Sequence, residues 1–235
     1  MMNSLTQDES KLLGSPQAIS ALAESDSATL LVISDSHGAY QNLFFILNEC
    51  AGRCDALVFC GDGISDMLSL LEHAADEERF SEIIPPVVGF VEGNNDADIY
   101  PMKNPAWNAD HSLDYHVQIK IPLTQTFKVC GHTVFVTHGH RHSLYTGTES
   151  LCMAAQKHHA GIALYGHSHV ALAEQTGTVL ALNPGSCSRP RAAQPPCYAL
   201  LSLKKNSDVY DYTFYAIKAE GSRPFIPDHR GWERW

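Results

Sequence analysis

Along this chain the apolar residues fall in short blocks, each cut off by a loop rich in Gly, Asp, Asn or His. Residues 29–33 (Thr-Leu-Leu-Val-Ile) form one block, ended by Ser34-Asp-Ser-His-Gly38. An uninterrupted run of that length, bounded by turn residues, predicts a strand buried on both faces. Leu43, Phe44, Leu47 and Cys50 then recur at helical spacing within residues 39–50, and Gly52 is placed to end the helix. Residues 56–60 predict a second strand, ended by Gly61-Asp-Gly63, and residues 65–73 a second amphipathic helix. Residues 87–91 predict a third strand, ended by Glu92-Gly-Asn-Asn-Asp96. In this β-α-β-α-β order the strand-end loops are neighbours, and open α/β sheets bind ligands just outside the carboxyl ends of their strands.

Beyond Asp96 the pattern changes. Residues 97–114, Pro-rich and carrying Trp107, predict a long loop or lid. Apolar-polar alternation then predicts antiparallel strands at 115–121, 125–129 and 132–136, the last ended by Thr137-His-Gly-His140. A helix over 149–159 precedes a strand at 162–164 ended by Tyr165-Gly-His-Ser-His169, and further strands are expected around 170–174, 179–182, 198–203 and 209–216. Residues 1–27 read as an N-terminal extension and 221–235 as a C-terminal tail packed on the domain at 28–220 or on a partner subunit, both candidates for loosely attached ends. Trp232 and Trp235 in that tail are expected to pack on the domain or on another subunit.

Composition narrows the class. With 44% apolar and 18% charged residues in 235, the chain is globular. It has no run of the roughly 18–20 apolar residues that a membrane span needs, and its polar start carries no signal-peptide pattern. A cytoplasmic protein is the expectation. Seven cysteines, an odd number in a chain this size, predict reduced and mostly buried thiols; Cys50 and Cys54 could form half of a zinc site but lack a second pair. A net charge of −10 argues against duplex nucleic acid as a partner and against a nuclease. The 13 histidines matter more, because histidine is the commonest metal ligand.

Asp35 and His37 stand two apart just past a strand, where extended backbone would turn both to one side to grip one ion; His167 and His169 repeat the spacing. Together with Asp62, Asn94 and His138 they form a set of carboxylate, amide and imidazole donors without thiolate, suited to Mn²⁺, Fe, Zn²⁺, Ni²⁺ or Co²⁺. Seven donors exceed one zinc tetrahedron and suffice for two ions with open positions, with Asp62 suited to bridge them.

The ordered set Asp35-x-His37, Gly61-Asp62, Gly93-Asn94-x-Asp96, His138 and Gly166-His-x-His169 resembles the motifs of the calcineurin-like metallophosphoesterase superfamily. The spacing and Asn183-Pro-Gly-Ser186 are similar to its small YfcE-type phosphodiesterase branch, over residues 29–203. The resemblance implies a four-layer α/β/β/α sandwich of two mixed sheets flanked by helices. It assigns Asp35, His37 and His169 to one divalent ion, Asn94, His138 and His167 to the other, and Asp62 to both, with Mn²⁺ the first choice. The implied reaction is hydrolysis of a small phosphate ester, a phosphodiester first, by in-line attack of hydroxide held between the ions. A phosphomonoesterase, a nucleotide pyrophosphatase or a non-catalytic scaffold of the same fold are the alternatives, and a homodimer fits the branch.

Many superfamily members carry a histidine where this chain has Asn95, and that histidine is thought to protonate the leaving group. Asp96 resembles the carboxylate that would orient it. Asn95 does not titrate near neutral pH, so the chain is expected to favour good leaving groups or to use a substitute acid such as His140, unless Asn95 serves only as a hydrogen-bond donor. Arg141, His142, Arg189 and Arg191 could meet substrate phosphate or be ordinary surface groups, and His158 and His159 read as structural.

Overall fold

The computed structural model describes residues 3–228. After helix α1 (Pro16–Glu24), strands β1 (Ser27–Ile33), β2 (Ala56–Phe59) and β3 (Val87–Phe90) run parallel, with Leu31 opposite Leu57 and Leu57 opposite Val88. Successive strand residues face opposite ways. Leu30, Val32, Ala56 and Val58 therefore line one side of the sheet, and Leu31, Ile33, Leu57 and Phe59 the other. The second side is covered by Leu43, Ile46 and Leu47 of α2 (Tyr40–Cys50) and by Met67, Leu70 and Leu71 of α3 (Ile64–Asp76). Leu30, Leu31, Val32 and Ile33 are wholly buried, each contributing about 1.5–3 kcal/mol. The short α4 (Glu78–Ser81) follows α3.

A second sheet is ordered β6 (Thr124–Val129), β7 (His132–Thr137), β8 (Ile162–Leu164), β10 (Val179–Pro184), β9 (Ala171–Thr176), with β7, β8 and β10 parallel and the edges antiparallel. Val134, Val136, Ile162, Leu164, Leu180 and Leu182 meet the inner face of the first sheet. Phe135, Ala163 and Ala181 face outward onto Leu151, Cys152 and Ala155 of α5 (Glu149–Lys157). The first sheet is completed by β11 (Cys197–Lys204), antiparallel to β1, then β12 (Asp211–Ala216) and β13 (Arg223–Phe225). This is the expected four-layer α/β/β/α sandwich.

Three expectations are corrected. Residues 97–114 are not an open loop: β4 (Ile99–Lys103) pairs with β5 (His116–Lys120), and a short 3-10 turn (Pro105–Asn108) sits between them. Met102 and Ile119 bury against the helical side of the first sheet, and Lys103 bonds Glu72 and Asp76 of α3, so this arm is held down. The N-terminal segment is not loose either. Leu13 exchanges backbone hydrogen bonds of 2.8 Å in both directions with Val88, Leu12 and Leu13 are buried, and Asn3 Nδ2 donates to three carbonyls. Residues 223–225 of the presumed tail form the edge strand β13. Trp232 and Trp235 lie outside the described residues. Among the described residues no helix is long and apolar enough to cross a membrane, and all seven cysteines are free and buried.

Candidate metal centre

The parallel strands β1, β2, β3 of one sheet and β7, β8 of the other end on the same side of the sandwich, and hydrogen bonds between their loops stitch the ends together. Asp35 N donates to Gly61 O (3.0 Å), Gly166 N to His138 O (3.0 Å), and His138 Nδ1 to Cys60 O (2.7 Å). Asp96 of the loop after β3 accepts from Asp62 N (2.6 Å), so the five polar loops converge.

Asp35, His37, Asp62, His167 and His169 all have positive φ, between 46° and 65°. The extended-backbone argument for Asp35-x-His37 and His167-x-His169 is therefore corrected: these residues lie in the left-handed region, uncommon for any non-glycine residue though Asp and His tolerate it better than most, and costly by about 1 kcal/mol or more each. Strain concentrated on five neighbouring polar residues marks a site whose geometry is imposed by the surrounding fold. Neither repeat is a simple same-side pair. Asp35 and His37 do share one cluster with His169, whereas the His167 ring lies 5.1 Å from that of His138.

The His37 and His169 Nε2 atoms are 3.0 Å apart, and His169 Nε2 is 3.2 Å from Asp35 Oδ1. His138 Nε2 lies 3.5 Å from Asp62 Oδ2, 3.2 Å from Asn94 Oδ1 and 4.0 Å from Asp35 Oδ1. Two groupings follow: Asp35 with His37 and His169, and Asp35 with Asp62 and His138, the latter touching Asn94. All seven ligand candidates are thereby brought into one neighbourhood.

The protons decide what can fill it. A carbonyl oxygen only accepts, so the His169 Nδ1 contact with Arg189 O (2.6 Å) and the His138 Nδ1 contact with Cys60 O place a hydrogen on each Nδ1. The Nε2 lone pairs then point at carboxylate and amide oxygens, acceptors against acceptors. Asp35 Oδ1 is wholly buried without a hydrogen-bond partner. Such a set needs a cation at its centre, a proton in the metal-free protein or a metal ion. Two nitrogens on one transition-metal ion are separated by on the order of 3 Å, as His37 and His169 are. The nitrogen and oxygen donors fit a divalent metal.

Electrostatics agree. Burial alone would raise the Asp35 carboxyl, but His169, His37 and His138 hold it well below the usual carboxylate range. Burial likewise opposes ionisation of Asp62, and His138 and Asn95 bring it down to about 2. His167, desolvated and beside His138, is lowered to about 4.

Asn95 donates from its backbone N (2.8 Å) and from Nδ2 (2.6 Å) to the two oxygens of Asp62, the hydrogen-bond-donor role. Asp96 orients no histidine. Its carboxylate accepts from the backbone N–H groups of Asp62 (2.6 Å), Gly63, Ile64 and Gly93 (3.0 Å each), capping α3 from outside the helix and locking two ligand loops together. Gly63 has φ 143°, and a Cβ there would strike the Ser36 hydroxyl. His140 stands beside His138 and His167, its buried Nδ1 without a partner.

Other braces escaped the sequence reading. Asp66 accepts from Ser36 Oγ (2.6 Å) and Gly38 N (2.9 Å), fixing the Asp35–His37 turn. Ser186 and Ser188 both donate to Asp35 O (2.8 and 3.0 Å). An Asp in the first turn of a helix that opens on Gly-Asp-Gly was the available signal for Asp66; Ser186 stood in the Asn183-Pro-Gly-Ser186 motif with no role assigned, and Ser188 had no signal. His37, Asp62, Asn94, Asn95, His167, His169, Arg189, Pro190 and Arg191 line an open cleft of about 400 Å³ over the centre.

Comparison with known proteins follows the same lines. Residues 29–206 match the family model described as the calcineurin-like phosphoesterase superfamily domain. The chain is 27% identical over 186 residues to the probable metallophosphoesterase YsnB of Bacillus subtilis, covering 79% of this chain and 89% of that protein. It is 32% identical over 124 residues to the phosphodiesterase YfcE of Escherichia coli, covering 53% and 56%. A solved structure of vacuolar protein sorting 29 from Cryptosporidium parvum matches with a TM-score of 0.62 at 18% identity, covering 86% of this chain and 97% of that one, a likeness of fold.

Proposed function

The chain belongs to the calcineurin-like phosphoesterase superfamily, and from that premise we propose that it is a binuclear metal-dependent phosphodiesterase acting on small phosphate esters with good leaving groups. One observation carries the reading: the Nε2 lone pairs of His138 and His169 converge with the unpartnered, buried Asp35 Oδ1 on a centre that only a cation satisfies. Asp35, His37 and His169 would hold one divalent ion and Asn94, His138 and His167 the other, with Asp62 shared. The donors suit Mn²⁺, Fe, Zn²⁺, Ni²⁺ or Co²⁺ alike, and the family resemblance makes Mn²⁺ the first choice. Bound there, two such ions would supply Lewis-acid polarisation of the phosphoryl oxygens and a water of lowered pKa.

The chain's own residues do the rest. Asp35 and Asp62 stay ionised at neutral pH and keep the site anionic. Asn95 pins both oxygens of Asp62 in place, and Asp96 holds the loop that carries it. Neither offers a proton to a leaving group. His140 is a poor substitute acid: burial, then His138 and Arg141, lower its pKa, leaving it neutral at pH 7. A substrate whose departing oxygen needs no protonation suits such a site, and an aryl phosphodiester meets that need. The free, buried cysteines accord with a reducing cytoplasm.

Turnover of bis(p-nitrophenyl) phosphate with Mn²⁺, abolished by chelator and exceeding that of alkyl diesters, monoesters and dinucleotides, is the expected result. Bound metal with no turnover of any member of that panel would overturn the reading in favour of a scaffold.

A further inference from the structure

The geometry points to Arg189 and Arg191 as a second anion subsite at the cleft mouth, one that takes a phosphate group of the substrate other than the one being cleaved. This rests on the phosphodiesterase reading and adds a substrate class to it: phosphodiesters that carry a further phosphate. The chain has 26 acidic against 16 basic residues, so two arginines side by side on one cleft run against its overall charge. Among the described residues, Arg79 pairs with Glu77, Arg223 with Glu220 and Lys103 with Asp76. Among the described residues Arg189 and Arg191 have no carboxylate partner; both are exposed, and both line the cleft beside His37 and His169. Arg189 Nη2 donates to His37 O (3.4 Å), and no other group among the described residues takes up its remaining N–H donors.

The loop that presents them is fixed to the metal centre itself. Arg189 N donates to Ser186 Oγ (2.7 Å), Arg189 O accepts from His169 Nδ1, and Arg191 N donates to His169 O (3.0 Å). Pro190 stiffens the link. Immediately after it, Ala192 and Ala193 both have positive φ (53° and 56°), two consecutive non-glycine residues in the left-handed region. Gln194 then clamps the turn by bonding both Ala171 N (2.6 Å) and Ala171 O (3.2 Å). Backbone this costly is kept where it positions something, and here it turns two guanidinium groups to the cleft. A cleft of about 400 Å³ has room for more than one phosphate. A planar fork of N–H donors matches phosphate oxygens.

The test compares two esters with one leaving group, thymidine 5′-(p-nitrophenyl phosphate) with and without a 3′-phosphate, on the Mn²⁺-loaded wild type and on the double variant Arg189→Gln/Arg191→Gln. The wild type should show a KM lower by about tenfold or more for the 3′-phosphorylated ester, as expected for charge-assisted contacts; in the double variant the ratio should collapse to near one, and Arg189→Lys/Arg191→Lys should restore part of it. A wild-type ratio near one, or a ratio that survives in the double variant, overturns the subsite. Calorimetric titration of thymidine 3′,5′-bisphosphate, which needs no turnover, separates the two readings. Arginine-dependent binding without hydrolysis of either ester would leave the subsite standing and sink the phosphodiesterase. Hydrolysis with arginine-independent binding would do the reverse.

Discussion

His37 Nε2 lies 3.0 Å from His169 Nε2, although the two residues are 132 positions apart in the chain. Two ring nitrogens this close share either a hydrogen or an ion. A ligand that binds only the folded state stabilises it by about 2.7 kcal/mol at a hundredfold excess over its Kd. Thermal melts should therefore shift upward with Mn²⁺ and return with chelator, and His169→Ala should reduce the shift by the share of the ion it holds. Equal melting temperatures with and without metal would count against the pairing.

Asp96 is a structural brace with a measurable stability cost. It accepts four backbone N–H groups of two ligand loops, so Asp96→Ala should lower unfolding free energy by about 2–3 kcal/mol, the scale of a lost cap plus charge-assisted hydrogen bonds. Metal content should fall with it. Urea titration and metal analysis check both. An Asp96→Ala protein as stable as wild type and fully loaded would show that the loops hold themselves.

Asn95 sets the leaving-group dependence. Across a series of aryl diesters the wild-type rate should fall steeply as the leaving-group pKa rises, because the residue at this position has no proton to give. Asn95→His should flatten the dependence. Equal slopes in the two enzymes would remove Asn95 as its cause.

Acid should loosen the metal-free protein in a defined window. The folded pKa of His167 is about 4 against an ordinary 6.5. Between those values the unfolded state binds the extra proton, so stability falls as pH drops from 6.5 towards 4. His138 runs the other way. Burial opposes its charge, but Asp62 and Asp35 raise it above 6.5, and that contribution is complete below 6.5 and lost as pH climbs through the folded value. Melts in chelator across pH 4–8 should show both slopes, and His167→Gln should flatten the acid one. An unchanged acid slope in that variant would assign it elsewhere.

Much of the fold was legible in the chain because strand and helix periods bury different residues. Leu31 and Leu43 announce their elements by spacing alone. The seven ligand candidates were legible because polar loops must follow buried strands and these loops carried donors of matching chemistry. Of the β4–β5 arm only β5 was legible, as the strand expected at 115–121; β4 was not, since the arm buries only Met102 and Ile119 and leaves Ile99 and Tyr115 exposed. Nor was the seating of Leu12 and Leu13, which depends on pairing with Val88, 75 residues away. The left-handed backbone at Asp35 and His167 had no glycine to betray it. Asp66 reads in sequence as one more polar position on a helix, and only the folded turn at Ser36 shows its use.

Metal stoichiometry with anomalous diffraction from Mn²⁺-soaked crystals goes most directly to the centre itself. Two ions per chain are predicted, one held by Asp35, His37 and His169 and one by Asn94, His138 and His167, with Asp62 reaching both and Asp62→Ala losing at least one. Saturating Mn²⁺ that leaves this cluster empty, or full occupancy in Asp62→Ala, would contradict the two-ion centre.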